Sequence, residues 1–122
     1  MKKNLVISSV AAIAAINPEG FTVNAANLQL VTTGYAVALK RTQNSFGAEG
    51  LAKVANVIEE LQASGNLNGQ TLAFGGWYDS KSGLYYYDAT VIFKDRAEAI
   101  EAGRVNEQIA IFDLVNLEEI RL

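Results

Sequence analysis

The side chains able to carry chemistry in this chain are carboxylates, tyrosines and a few cations, because it contains neither histidine nor cysteine. That removes Ser-His-Asp and Cys-His relays, thiolate nucleophiles, disulfides, and zinc or iron–sulfur sites with their usual ligands. Carboxylate acid–base work, tyrosine or lysine chemistry, and oxygen-ligand sites for hard cations remain. Asp79, Asp88, Asp95 and Asp113 are the acids nearest strand ends. A pair of them would suffice for an acid–base couple, but their spacing fits no calcium loop, and aspartate is the ordinary residue of turns and caps. No catalytic residue, metal ligand or cofactor is therefore assigned.

Two segments are candidate binding sites. The first is the polar loop opening a helix, in which Lys40, Arg41, Thr42, Asn44 and Ser45 offer charge and hydrogen-bond donors beside exposed helix N-terminal amides, a setting for a small anion such as phosphate or carboxylate. The alternative is a capped helix start, with Asn44 or Ser45 as the cap. Gly47-Ala48-Glu49-Gly50 has the glycines of a phosphate clamp, but Glu49 would repel the phosphate. The second segment is the aromatic hairpin, where Trp77, Tyr78 and Tyr86 are the candidate interface residues. Tyr85 and Tyr87 read as core, and Trp77 can be read either way. A formal charge of −3 and scattered lysines and arginines argue against a nucleic-acid surface.

These segments are positioned by a regular change of hydrophobic period between about residues 30 and 114. The order strand, helix, strand, strand, helix, strand is that of an α+β, ferredoxin-like split βαβ sandwich: a four-stranded antiparallel sheet with two helices on one face. The strands are expected at 33–40, 71–78, 84–93 and 108–114, the last covered on both sides. The firmest helix runs through Leu51, Val54, Ile58 and Leu61 and stops at Ser64-Gly65-Asn66, while Asp95 caps the second with Glu98 three residues on. A short strand over 117–122 can follow. At 122 residues the chain suits one main domain, assigned to 28–122.

Residues 1–27 form an N-terminal extension with two readings. In one, Ser8 or Ser9 caps a short helix to Ile16, and residues 21–23 and 28–31 make a hairpin. In the other, Lys2, Lys3, the apolar run Leu5–Ile16 and Val23-Asn24-Ala25 make a signal peptide over 1–25, and the domain is secreted or periplasmic. The apolar run is too short to span a membrane, and no membrane association is expected.

Residues 17–23, 34–38, 42–47 and 108–113 resemble segments of small uncharacterised proteins of gut Bacteroidetes, their mobile elements and their phages. The resemblance implies that residues 17–23 lie inside the mature domain and that the setting is cytoplasmic or virion-associated. It brings no activity or site residue with it. The expected function is a non-enzymatic binding or assembly module, structural or host-directed, that forms a homo-oligomer or binds a protein. The alternative is a small-molecule or anion binder, or a minor enzyme, using residues 40–47.

Overall fold

The β-branched and aromatic run over residues 84–93 forms the strand on which the rest assembles. The computed structural model describes residues 2–65, 67 and 69–122. Among these, the elements are α1 (Lys3–Ile16), β1 (Phe21–Asn24), β2 (Tyr35–Ala38), β3 (Ser45–Phe46), α2 (Gly47–Ser64), β4 (Thr71–Asp79), β5 (Leu84–Phe93), α3 (Arg96–Val105), β6 (Ala110–Asp113) and β7 (Glu118–Arg121). The result is an α+β fold with three helices and one seven-stranded antiparallel sheet in the order β1-β4-β5-β2-β6-β7, with β3 also paired to β5.

This differs from the expected four strands because β1 and β7 add to the two edges and β3 adds to β5. β1 and β7 are the short strands expected at 21–23 and 117–122, here joined to the same sheet, whereas β3, two residues long, is too short for alternation to stand out in sequence. β1 pairs with β4 on one edge, and on its other edge the expected partner segment 28–31 lies antiparallel to it through a Val23–Leu30 bridge and the Asn24-to-Gln29 and Val31-to-Thr22 backbone bonds, too irregular to count as a strand. β6 is also shorter than expected, and Ile109 beside it is 73% exposed.

The helices share one face of the sheet. Val10 and Ala14 of α1 and Leu51, Val54, Ala55 and Ile58 of α2 pack with Leu72 and Phe74 of β4 and Tyr87, Ala89 and Val91 of β5. Ala99 of α3 packs with Val37 and Ile111. Val37, Val91 and Leu72 are cross-strand neighbours, so the two clusters lie on one face. The N-terminal segment contributes buried side chains to this core, and Tyr85 fixes its end by donating from Oη to the Asn17 carbonyl at 2.7 Å. Burial, with Tyr87 and Glu19 nearby, pushes the Tyr85 hydroxyl up to about 12, so it stays a donor at neutral pH.

The helix ends follow different rules. α1 starts at Lys3 with no side-chain cap, and Ser8 instead donates back to the Asn4 carbonyl at 2.8 Å. α2 has Phe46 at its N-cap, again without a side-chain bond, because Asn44 takes a left-handed φ of 62° and Ser45 is drawn into β3. α2 ends at Gly65 in the left-handed conformation, as its sequence predicts; Asn66 lies outside the described residues. Asp95 caps α3 as expected, accepting from the Glu98 amide at 2.9 Å.

One interruption decides the shape of β5's second edge. β2 pairs with β5 at residues 90–93 and β3 at 86–87, so one line of backbone leaves β5 and returns to it. In the gap the Ala89 amide donates to Thr42 Oγ1 at 3.0 Å, and Thr42 Oγ1 donates to the Leu39 carbonyl at 3.2 Å. Thr42 is 1% exposed and stands in for the missing strand residue. Thr42→Val is expected to strand the buried Ala89 amide and cost about 1–3 kcal/mol in urea unfolding. Thr42→Ser should retain most of that stability.

Candidate functional site

Strand alternation sends a second set of side chains to the face without helices. Trp77 pairs with Tyr86 across β4 and β5, and Tyr86 pairs with Phe46 across β5 and β3, so all three rings point to that face. The Trp77 and Tyr86 rings stack at 4.9 Å with an interplanar angle of 14°, and Phe46 meets Tyr86 edge-on at 5.7 Å. Trp77 remains 48% exposed and Phe46 44%. Large rings in that state, held against each other rather than against a core, form a preformed apolar platform.

Asp88 lies next along the face, two residues from Tyr86 and opposite Gly75. A Cβ at residue 75 would stand 2.5 Å from Asp88 Oδ1 and 2.9 Å from Thr90 Oγ1, so glycine is what lets this carboxylate lie flat on the sheet. Thr90 Oγ1 donates to Asp88 Oδ1, and among the described residues no lysine or arginine pairs with Asp88. Loss of solvent pushes its carboxyl above the usual carboxylate range, opposed by the Thr90 hydrogen bond. A half-buried carboxylate without a cation thus borders the aromatic platform.

Farther along, the face changes character. Ala73, Ile92 and Leu114 are buried there with Val31 and Ala36 against them, because the chain between β1 and β2 crosses that end. A groove of about 530 Å³ runs between this crossing and Thr71, Ile92, Lys94 and Glu98. Its Asn24 and Asn27 side-chain oxygens already accept the Ala26 and Gln29 amides, and no aromatic ring lines it.

The loop candidates are placed apart from this platform and, in part, from one another. Lys40 pairs with Glu107 in the turn after α3 and Arg41 with Glu60 of α2, so the two cations turn away from each other to different elements. Thr42 is buried in its backbone role, and Ser45 is 3% exposed with no hydrogen-bond partner for Oγ. Asn44 is exposed at the left-handed turn. Of the interface candidates, Trp77 and Tyr86 come together, whereas Tyr78 pairs with Tyr85 and so points to the helical side of the hairpin. Trp77 is therefore outside the core, contrary to the reading that has it fill the interior. Phe46, the third ring, is absent from the sequence-based candidates; its signal was an apolar residue directly after a polar loop.

The remaining acids have local duties. Asp79 accepts from the Lys81 amide and the Ser82 hydroxyl in the hairpin turn. Asp113 accepts from the Val115 and Asn116 amides and from Asn116 Nδ2, and the Asn116 bonds hold its carboxyl below the usual range. No group of three acids among the described residues could hold a metal ion. None of the helices formed by these residues is long and apolar enough to cross a membrane.

Comparison with protein-family models, with curated proteins and with solved structures finds no match to this chain.

Asp88 has a measurable signature. Its native carboxyl holds a proton to higher pH than the unfolded chain, whose value lies near 3.8. Asp88 therefore costs no stability below that value, and its penalty grows as pH rises through the native pKa and is complete at neutral pH if that pKa lies below it. Asp88→Asn, compared with the parent by thermal melts at low protein concentration, should melt higher at pH 7. The difference should close as pH falls toward 4 and below.

Proposed function

We propose that this protein is a non-enzymatic assembly module that associates with a second copy of itself through the helix-free sheet face. The observation that carries this reading is the Phe46–Tyr86–Trp77 cluster, whose outer rings are nearly half exposed although one already stacks on Tyr86 and the other meets it edge-on. In an antiparallel sheet with one solvated face, the outward positions are ordinarily polar. On the central strands here they are Ala36, Ala38, Ala73, Ile92, Phe46, Trp77, Tyr86 and Leu84, interrupted by Thr71, Gly75, Asp79, Asp88 and Thr90, with Phe112 beside them and the polar Thr22, Asn24, Glu119 and Arg121 confined to the edge strands. The crossing chain covers only the end near Ile92, and a second copy would cover the aromatic end.

The inner strands β4-β5-β2-β6, with α2 and α3 as the crossovers, follow the order of the split βαβ, ferredoxin-like arrangement. In our reading β1 and β7 are appended edges. They close the sheet sideways: loop residues 29–31 hydrogen-bond along the outer side of β1, and β7 carries Glu118, Glu119 and Arg121. Association by sheet extension is thereby disfavoured, and the face is left as the apolar surface to cover.

An anion-binding role for residues 40–45 has less support, because Lys40 and Arg41 are each satisfied by a glutamate and Thr42 and Ser45 are buried. Light scattering coupled to size exclusion should give a mass rising from monomer to dimer with concentration. Trp77→Ala should shift that transition to at least about tenfold higher concentration, the effect expected of an interface aromatic worth about 2 kcal/mol. A monomer at every concentration would remove the proposal.

A further inference from the structure

The hairpin carries opposite charges on either side of its aromatic centre. Counting along the strands from the Trp77–Tyr86 pair, the Gly75–Asp88 pair lies two residues to one side and the Asp79–Leu84 pair two residues to the other. Just past Asp79–Leu84 comes the tight turn, closed by the Gly83 amide donating to the Asp79 carbonyl at 2.8 Å. Lys81 sits exposed at this turn and makes no salt bridge among the described residues. A carboxylate without a cation thus lies two residues to one side of the Trp77–Tyr86 centre, and a cation without a carboxylate lies on the other side, four residues along the chain from Trp77.

That spacing is self-complementary. A two-fold axis lying in the interface and crossing the strands at the Trp77–Tyr86 pair reverses strand direction while keeping β4 over β4 and β5 over β5. It carries the turn of one copy to a point about two residues, roughly 7 Å, along the strand from Asp88 of the other. Facing sheets stand about 10 Å apart, a gap in which the long stem of a lysine can lie against the rings while its ammonium turns toward an acid.

We infer that the second copy supplies the cation that Asp88 lacks: in a symmetric dimer Lys81 of each copy pairs with Asp88 of the other, on both sides of a shared aromatic centre. This rests on the proposed self-association and adds its register and symmetry. The same axis brings the Asp79–Leu84 pair of one copy over the Gly75–Asp88 pair of the other, so Lys81 reaches Asp88 beside a second carboxylate. The other ionisable strand residues there are Asp79, whose carboxylate is engaged by its own turn, and Glu119 and Arg121 of β7, which pair with each other at 3.2 Å. The Lys81 ammonium then faces two carboxylates rather than one, and its pairing offsets the cost of leaving Asp88 desolvated and alone.

The test uses two charge reversals on the full chain. Lys81→Asp gives a copy acidic at both positions, and Asp88→Lys gives one basic at both. Each should dimerise at least about tenfold more weakly than the parent by sedimentation, and an equimolar mixture should regain parental affinity as a heterodimer. Lys81→Ala, Asp88→Asn and the double variant provide a milder cycle if Asp88→Lys does not fold, and the two single effects should then be non-additive. Parental dimerisation by Lys81→Asp, no rescue in the mixture, or additive effects in the cycle would overturn the pairing. If Trp77→Ala still weakens the dimer, the assembly reading survives that failure; a parent that stays monomeric ends both. Quenching of Trp77 by an arginine-rich peptide in a monomeric parent would assign Asp88 to a foreign cation and overturn the inference.

Discussion

The hydrogen bond from the Ala89 amide to Thr42 Oγ1 is the interaction on which the arrangement of this protein turns. β5 is fully paired with β4 on one edge, but on the other its partner leaves after Ala38 and returns only at Ser45. A strand amide left facing that gap without a partner would carry the desolvation cost of a buried donor. The threonine hydroxyl removes this cost and, by donating in turn to Leu39, holds the excursion close to the strand. The return can then be in register, which sets Phe46 against Tyr86 and starts α2 immediately afterwards.

From that register the two faces acquire different fates. The positions shared with Tyr87, Ala89 and Val91 are covered by three helices, and the N-terminal helix is held there by side chains as deeply buried as those of the central ones. The opposite positions have no helix to meet. One end is covered by the chain crossing from β1 to β2, and the other presents stacked rings beside a carboxylate seated on Gly75. The seat depends on the missing side chain at residue 75, which gives the fold room for an acid on this face.

The sequence discloses these features unevenly, for physical reasons. Residues 71–79 and 84–93, the helix over 47–64 and the Asp95 cap are readable because their periods are long or their signals local. β1 and β7 are legible as the short strands expected at 21–23 and 117–122, but the pairing of β1 with the distant β4 is not, and β3 has too few residues to show a period. Thr42 looks like a loop hydroxyl, since nothing nearby reveals that its partner lies 47 residues on. Trp77 is a different kind of miss. Leu72 and Phe74 share one parity in β4 and Trp77 the other, so alternation alone places it outward once the core face is known. Reading its size as burial conceals that.

The chain's one tryptophan lies at the centre of the surface in question, so its own emission reports whether that surface is covered. The direct measurement is Trp77 fluorescence and acrylamide quenching across a concentration series, with far-ultraviolet circular dichroism as a control for folding. The account predicts a blue shift and falling quencher access as concentration rises, at constant secondary structure. A solvent-exposed emission and unchanged quenching at every concentration would contradict it.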